Sequence, residues 1–435
     1  MIGQKRFDEL VREHQVPGAT LAVLAGDELH TLASGVLNLG TGVEVTPDSM
    51  FQLASITKVY TATVFMRLAE QGLVSLDTAV QDVLPDFTAA DPEVARQVTM
   101  RHLLTHTSGI GGDFFRGGWR GDDCVERYVA SCAEVGQDVP LGVTPSYSNT
   151  GFCVLGRVIE VLTGLTWDQA IGKYIREPLG LAHTWTLPEE VIRFRVSMGH
   201  LTASATDAPV VAPLWDFPLR GMGPCGNVSA TASDVIAFAR MHLSDPALAV
   251  MRQPQAAVPG PFLDHWGLSW MLWNWDGREV FGHSGDNYGQ SAYLLVVPDA
   301  GVAIALMANI DRFALFQRDV FGELLDSLCG IQLPSLPAPP AAPFTVDDPG
   351  RFTGRYERFG AHVDVTPGGD GMLHLTETRT GDMADAFPPF EVDLVPVADG
   401  RFVGWLESGA RWTSVTFADD RFVYLGLRGA TKVSP

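Results

Sequence analysis

The chain has 435 residues, 46% of them hydrophobic and 19% charged, which suits a folded globular protein of two units and excludes a disordered one. Fifty-one acidic against thirty basic residues give a net charge of −21, a field that repels phosphate backbones and anionic lipid, so no nucleic-acid and no membrane partner is expected. No apolar run approaches the ~18 residues of a membrane span.

The N-terminus, MIGQKRFDELVREHQVPG, reads as a polar helix and lacks the apolar core of a secretory signal. The initiator Met1 argues that nothing was removed. The five cysteines, Cys124, Cys132, Cys153, Cys225 and Cys329, show neither a C-x-x-C pair nor regular spacing, as small buried hydrophobes of a reducing, cytoplasmic compartment would.

ATLAVLAG (19–26) and HTLASGVLN (30–38) read as a hairpin. A helix over 55–72 presents Val59, Thr63, Phe65, Met66 and Leu68 and stops at Gly72. MRHLLTHTSG (100–109) reads as a short helix ended by Gly109, and 149–164 and 167–180 as two more. Thr231 and Asp234 predict a capping box for the helix that follows. Residues 291–309 form a hairpin turning at Pro298–Gly301, and a last helix covers 313–328. Strands at both ends with helices between predict an α+β fold: an antiparallel sheet whose first and last strands meet, plus a helical subdomain.

Five prolines in 333–343 (Pro334, Pro337, Pro339, Pro340, Pro343) mark an extended linker, which divides the chain into 1–332, a linker at 333–344 and a unit at 345–435. Beyond it, alternating segments at 361–366, 372–378, 390–395, 400–406, 412–418 and 421–427 predict a small antiparallel β-barrel.

Lysine usage singles out one residue. The only lysines are Lys5, Lys58, Lys173 and Lys432, and Lys58 alone lies inside an apolar helix. Arginine keeps its proton in a protein, whereas a desolvated lysine can release it. Ser55 stands three residues earlier on the same helix face, so the amine can activate the hydroxyl. An S-x-x-K also arises by chance on ordinary helices; the apolar setting of Lys58 favours the chemical reading. In Pro145-Ser146-Tyr147-Ser148-Asn149, Tyr147 and Asn149 are two apart and point the same way in an extended segment. They could relay a proton and hold a carbonyl, or simply cap and pack the helix. His283, between Gly282 and Ser284-Gly285, precedes the strand at 290–297 and reads as a loop histidine or as part of a ligand-facing edge. The G-x-S-x-G pattern fails at Ser284 because Asp286 follows Gly285. No H-E-x-x-H, Walker loop or G-x-G-x-x-G occurs, so no metal and no cofactor is expected.

S-x-x-K, then Y-x-N, then a glycine-flanked third motif before a late strand resembles the order in the penicillin-recognising serine enzymes. The branch is the class C β-lactamase-like one, which includes D-Ala-D-Ala carboxypeptidases, esterases, D-aminopeptidases, acyltransferases and peptide-cyclising thioesterases. PGATLAVL (17–24), FQLASITKVYTA (51–62), HLLTHTSGI (102–110) and GNVSATASDVIAFAR (226–240) carry the resemblance, which spans about 5–330. It implies a β-lactamase/transpeptidase-like fold followed by a lipocalin-like barrel. It makes Ser55 the acylated nucleophile, Lys58 its base, Tyr147 the proton shuttle and Asn149 the residue that orients lysine and substrate. His283 stands where antibiotic-hydrolysing members carry the lysine of K-T-G. The oxyanion hole would be the main-chain N–H groups of Ser55 and Asp286, with Gly285 against the substrate.

An imidazole in place of that ammonium weakens the seat for a substrate carboxylate. The expected substrate is therefore an ester, amide or small peptidyl acyl group, with poor action on β-lactams. The segment 109–123, with Phe114, Phe115, Arg116, Trp119 and Arg120, reads as an aromatic lid in which Phe114 and Trp119 touch substrate, or as a packed surface loop. Trp266, Trp270, Trp273 and Trp275 could line a pocket or fill the core. The alternative to an enzyme is a ligand-binding or sensor protein on the same fold.

Overall fold

The computed structural model describes residues 1–434 apart from 205–206, 343, 370–371, 382–383, 385–388 and 407–410, so Pro343 of the expected linker lies outside the described residues. A polar helix α1 (Gln4–Glu13) leads into β1 (Gly18–Ala25) and β2 (Glu28–Asn38), which pair as the expected hairpin. At the far end of the first unit, β3 (Gln290–Val297) and β4 (Val302–Ala308) form a second hairpin. The two hairpins join antiparallel, with Ala19 opposite Ala308 and Ala25 opposite Val302. Both central strands are buried along almost their whole length because helices cover both faces of the sheet. Alternation sorts the side chains. Leu21, Val23 and Ile304 meet Phe7 and Phe316 on one face; Ala22, Leu24 and Ala305 meet Val59, Phe65 and Phe238 on the other.

The helix of residues 57–70 is buried on nearly every side from Thr57 to Phe65, which explains why its apolar positions do not form a single stripe. The helices Asn149–Thr163 and Ala232–Ser244 flank it, and Ala314–Cys329 covers the opposite face with α1. Ser148 caps the helix of residues 149–163 by accepting from Gly151 N, and Gly164 closes it with φ +68°. Such a cap contributes about 1 kcal/mol.

Three local expectations are corrected. The helix beginning at Met100 stops at Leu104, not at Gly109, because His106 already holds a left-handed φ of +59°. The run 167–180 remains helical to Leu179 but passes through a π turn at Gly172–Arg176. Thr231 accepts from Asp234 N at 3.3 Å, yet the Asp234 carboxylate does not reach back to complete a capping box. It takes His183 N at 2.8 Å and Thr184 Oγ1 at 2.9 Å instead.

Residues 331–340 form neither helix nor strand. After them eight strands close a barrel among the described residues. Two of these, Gly354–Arg358 and Arg428–Ser434, were not expected, and they are the pair that closes it. The expected strand at 421–427 ends at Leu425, where Gly426 turns the chain with φ +64°.

Candidate active site

Ser55 sits in a single helical turn, Ala54–Ile56, that feeds the buried helix of residues 57–70. Ala54 holds φ +46°, a backbone costing about 1–2 kcal/mol for a residue with a Cβ. Gly285 presses on this turn: a Cβ there would stand 2.1 Å from Leu53 O and 2.8 Å from Ser55 N. Only glycine lets the strand of residues 278–287 run so close to Ser55.

One helical turn on, the fully buried Lys58 Nζ donates to Ser55 Oγ at 3.2 Å, Asn149 Oδ1 at 2.7 Å and Cys225 O at 2.9 Å. Three neutral oxygens thus surround the amine, one of them the Ser55 hydroxyl. Ser148 is extended, so Tyr147 and Asn149 do point the same way, and Lys58 Nζ lies 4.8 Å from the centre of the Tyr147 ring. Among the described residues the Tyr147 hydroxyl makes no hydrogen bond.

His283 is wholly buried, with its ring centre 6.3 Å from that of Tyr147. Its Nδ1 donates to Ser284 O at 2.5 Å, and burial, with the Lys58 charge nearby, pushes its pKa down to about 3. It is a neutral imidazole. Beyond Gly282 the strand pairs with β3 on one side only, so its other edge lies free beside Ser55. Asp286 stands on that stretch, and its carboxylate turns away to accept from Ser291 Oγ at 2.8 Å.

The aromatic residues divide. Phe114 is buried between Tyr128 and the barrel's Phe359, so it fills core and does not offer its ring to a ligand. Trp119 is half-buried against the main core. Trp266, Trp270 and Trp273 are buried too, and Trp266 stacks behind Tyr147 at 5.8 Å.

Three neighbours of the site were not foreseen. Cys225 contributes its carbonyl, which no side-chain motif announces. His106, read only as part of a helix end, packs its tilted ring against Tyr147 at 4.5 Å. Arg428 reaches in from the barrel, with its guanidinium 5.3 Å from the centre of the Tyr147 ring. Arg428 pairs bidentately with Asp113 at 2.7 Å for each bond, and Arg358 joins at 3.1 Å. Burial alone would raise the Asp113 pKa, but these arginines hold it well below the usual carboxylate range. Asp138, which takes Phe359 N at 2.9 Å and Ser146 Oγ at 3.2 Å, is pushed up to about 6 by burial despite Arg358.

The five thiols are unpaired and, except for Cys329, buried. No single helix among the described residues is long and apolar enough to cross a membrane.

The β-lactamase family model matches residues 4–323. Penicillin-binding protein 4 of Amycolatopsis lactamdurans is 50% identical over 372 residues, covering 82% of this chain and 97% of that protein. The solved structure of SurE superposes with a TM-score of 0.81 at 27% identity, over 99% of this chain and 98% of that one. The D-amino acid amidase of Ochrobactrum anthropi, solved with L-phenylalanine amide, gives a TM-score of 0.59 at 26% identity, over 70% and 89%.

Proposed function

The chain belongs to the β-lactamase family of serine hydrolases, and from that premise we propose that it hydrolyses or transfers an acyl group of an ester, amide or small peptide through acyl-Ser55. The observation that carries this reading is Lys58 Nζ at 3.2 Å from Ser55 Oγ, with the amine's other two donors fixed on Asn149 and Cys225.

Lys58, in its neutral form, donates two N–H groups to Asn149 and Cys225, turns its lone pair to the Ser55 hydroxyl and takes its proton as Oγ attacks the carbonyl carbon. The oxyanion meets Ser55 N and the N–H of Asp286 on the free strand edge. The Tyr147 hydroxyl passes a proton to the leaving group, then draws one from the water or amine that meets the acyl-enzyme. Asn149 keeps the lysine aimed at Ser55. The neutral His283 offers no charge to a substrate carboxylate, which argues for poor action on β-lactams; a relative named for binding penicillin is compatible with slow turnover. The free thiols favour a reducing compartment, and we place the reaction in the cytoplasm.

The test follows nitrophenol release from a p-nitrophenyl ester and the intact protein mass together, for the wild type and Ser55→Ala. Release that vanishes in the variant supports acyl-Ser55. Equal release from both proteins removes the serine mechanism and leaves a binding protein on a hydrolase fold.

A further inference from the structure

Tyr147 lies in an extended segment outside any sheet, so its orientation depends on where its main-chain groups are bound. Three consecutive N–H groups are fixed there. Ser146 N donates to His106 O at 2.8 Å, Tyr147 N to Leu427 O at 2.9 Å, and Ser148 N to the His106 ring at Nδ1 over 3.0 Å. A single residue therefore holds both neighbours of the tyrosine, one through its backbone and one through its side chain.

The same ring lies tilted at 33° against the phenol, with centres 4.5 Å apart, and Trp266 backs it at 4.4 Å. His106 is wholly buried and left-handed, with φ +59°. That conformation costs about 1–3 kcal/mol and persists only where the surroundings demand it. The demand is visible: it lets one residue present both its carbonyl and its Nδ1 to the same segment.

We infer that His106 is a positioning residue, which clamps Ser146 and Ser148 so that the Tyr147 hydroxyl stays in line with the reacting atoms. The inference rests on the acyl-Ser55 reading. The ring must be neutral, because the Ser148 N–H occupies Nδ1 and leaves the proton on Nε2. Burial, followed by the nearby Lys58 charge, keeps its pKa well below the ordinary range and maintains that state.

The clamp affects the two half-reactions unequally. Nitrophenolate leaves without needing a proton, so acylation by a nitrophenyl ester is largely spared when Tyr147 drifts. Deacylation needs a base on the water and is not spared.

The experiment compares the wild type, His106→Gly, His106→Asn and Ser55→Ala by stopped-flow nitrophenol release and intact mass. Glycine accepts the left-handed backbone and keeps the carbonyl but loses the ring acceptor. Asparagine tolerates the same backbone and places Oδ1 where Nδ1 was. For His106→Gly we expect a stoichiometric burst, accumulated acyl-enzyme and turnover lowered about 100-fold. His106→Asn should recover turnover to within about fivefold of the wild type. Wild-type turnover in His106→Gly overturns the clamp, as does a folded His106→Asn no better than the glycine variant. Release by Ser55→Ala equal to that of the wild type instead defeats the acyl-serine reading, so the two failures are told apart.

Discussion

The main-chain carbonyl of Leu427, in the barrel, accepts the N–H of Tyr147, in the hydrolase unit, at 2.9 Å. Around this bond Arg428 locks onto Asp113, Tyr424 Oη donates to Pro145 O at 3.1 Å, and Thr431 Oγ1 donates to Asp138 O at 2.8 Å. The barrel's last hairpin is thus built into the wall behind the tyrosine.

Removing residues 345–435 should consequently abolish ester turnover, even where circular dichroism shows the remaining unit folded. A subtler break is Asp113→Ala, which takes the shared carboxylate from the half-buried Arg428 and leaves the buried Arg358 with Glu377 alone. Loss of one partner from a buried ion pair costs about 3–5 kcal/mol. Urea unfolding should register a loss of that order, and undiminished activity after truncation would show the barrel to be a bystander.

Gly285→Ala isolates the turn that carries Ser55. The added methyl would collide with Leu53 O and Ser55 N, both main-chain atoms with no rotamer through which to escape. The strand or the Ser55 turn must shift, and a displacement near 1 Å costs about 100-fold in rate. We expect that loss in kcat with a stability change of about 1–3 kcal/mol, the usual cost of overpacking. Full activity would mean that the strand edge plays no part in holding the oxyanion.

Much of this site could be read along the chain because its signals are local. Ser55 and Lys58 are one helical turn apart, and Tyr147 and Asn149 flank the extended Ser148 that opens a helix, so both pairs follow from backbone periodicity. The meeting of the first and last strands followed from hairpins at both ends of the unit. What stayed hidden depends on contacts distant in sequence. RFVYLGL looked like one strand because its alternation runs through Gly426, and that glycine's turn is what presents Leu427 and Arg428 to Tyr147. Phe114 could be read as a lid residue or as part of a packed loop, and only the distant contacts with Tyr128 and Phe359, which enclose it, decide for packing.

The state of His283 bears on β-lactams directly. A cephalosporin carboxylate needs a cation at this strand, and the ring there is neutral at pH 7. The guanidinium that does stand near Tyr147, Arg428, is committed to Asp113 through two bonds. Turnover of nitrocefin should accordingly be at least ~100-fold below that of a nitrophenyl ester, a deficit of roughly 2.7 kcal/mol in transition-state stabilisation. Efficient cephalosporin hydrolysis by the wild type would contradict the role given to the neutral ring.

Stability should fall on mild acidification, and the buried histidines fix the direction. His242 and His283 are held neutral by burial, with pKa values pushed down to about 3, and His106 is displaced the same way. An unfolded histidine protonates near 6.5, so below that pH the unfolded chain binds more protons than the native one. The stabilisation is complete above about 6.5 and is lost as pH falls toward the native values, at about 2 kcal/mol each for His242 and His283 by pH 5. Asp138 opposes this, since a carboxyl raised to about 6 favours the native state at low pH and loses that advantage as pH rises through 6, and burial raises Asp286, Asp168 and Glu160 in the same direction. The Asp138 contribution at pH 5 is about 1.4 kcal/mol, smaller than that of the histidines. Urea unfolding at pH 7 and pH 5 should therefore show a net loss of stability at the lower pH. His242→Gln, which cannot titrate, should reduce that loss by about 2 kcal/mol whatever it does to the stability at pH 7. A wild-type stability unchanged between the two pH values would mean that these rings are not held neutral in the folded protein.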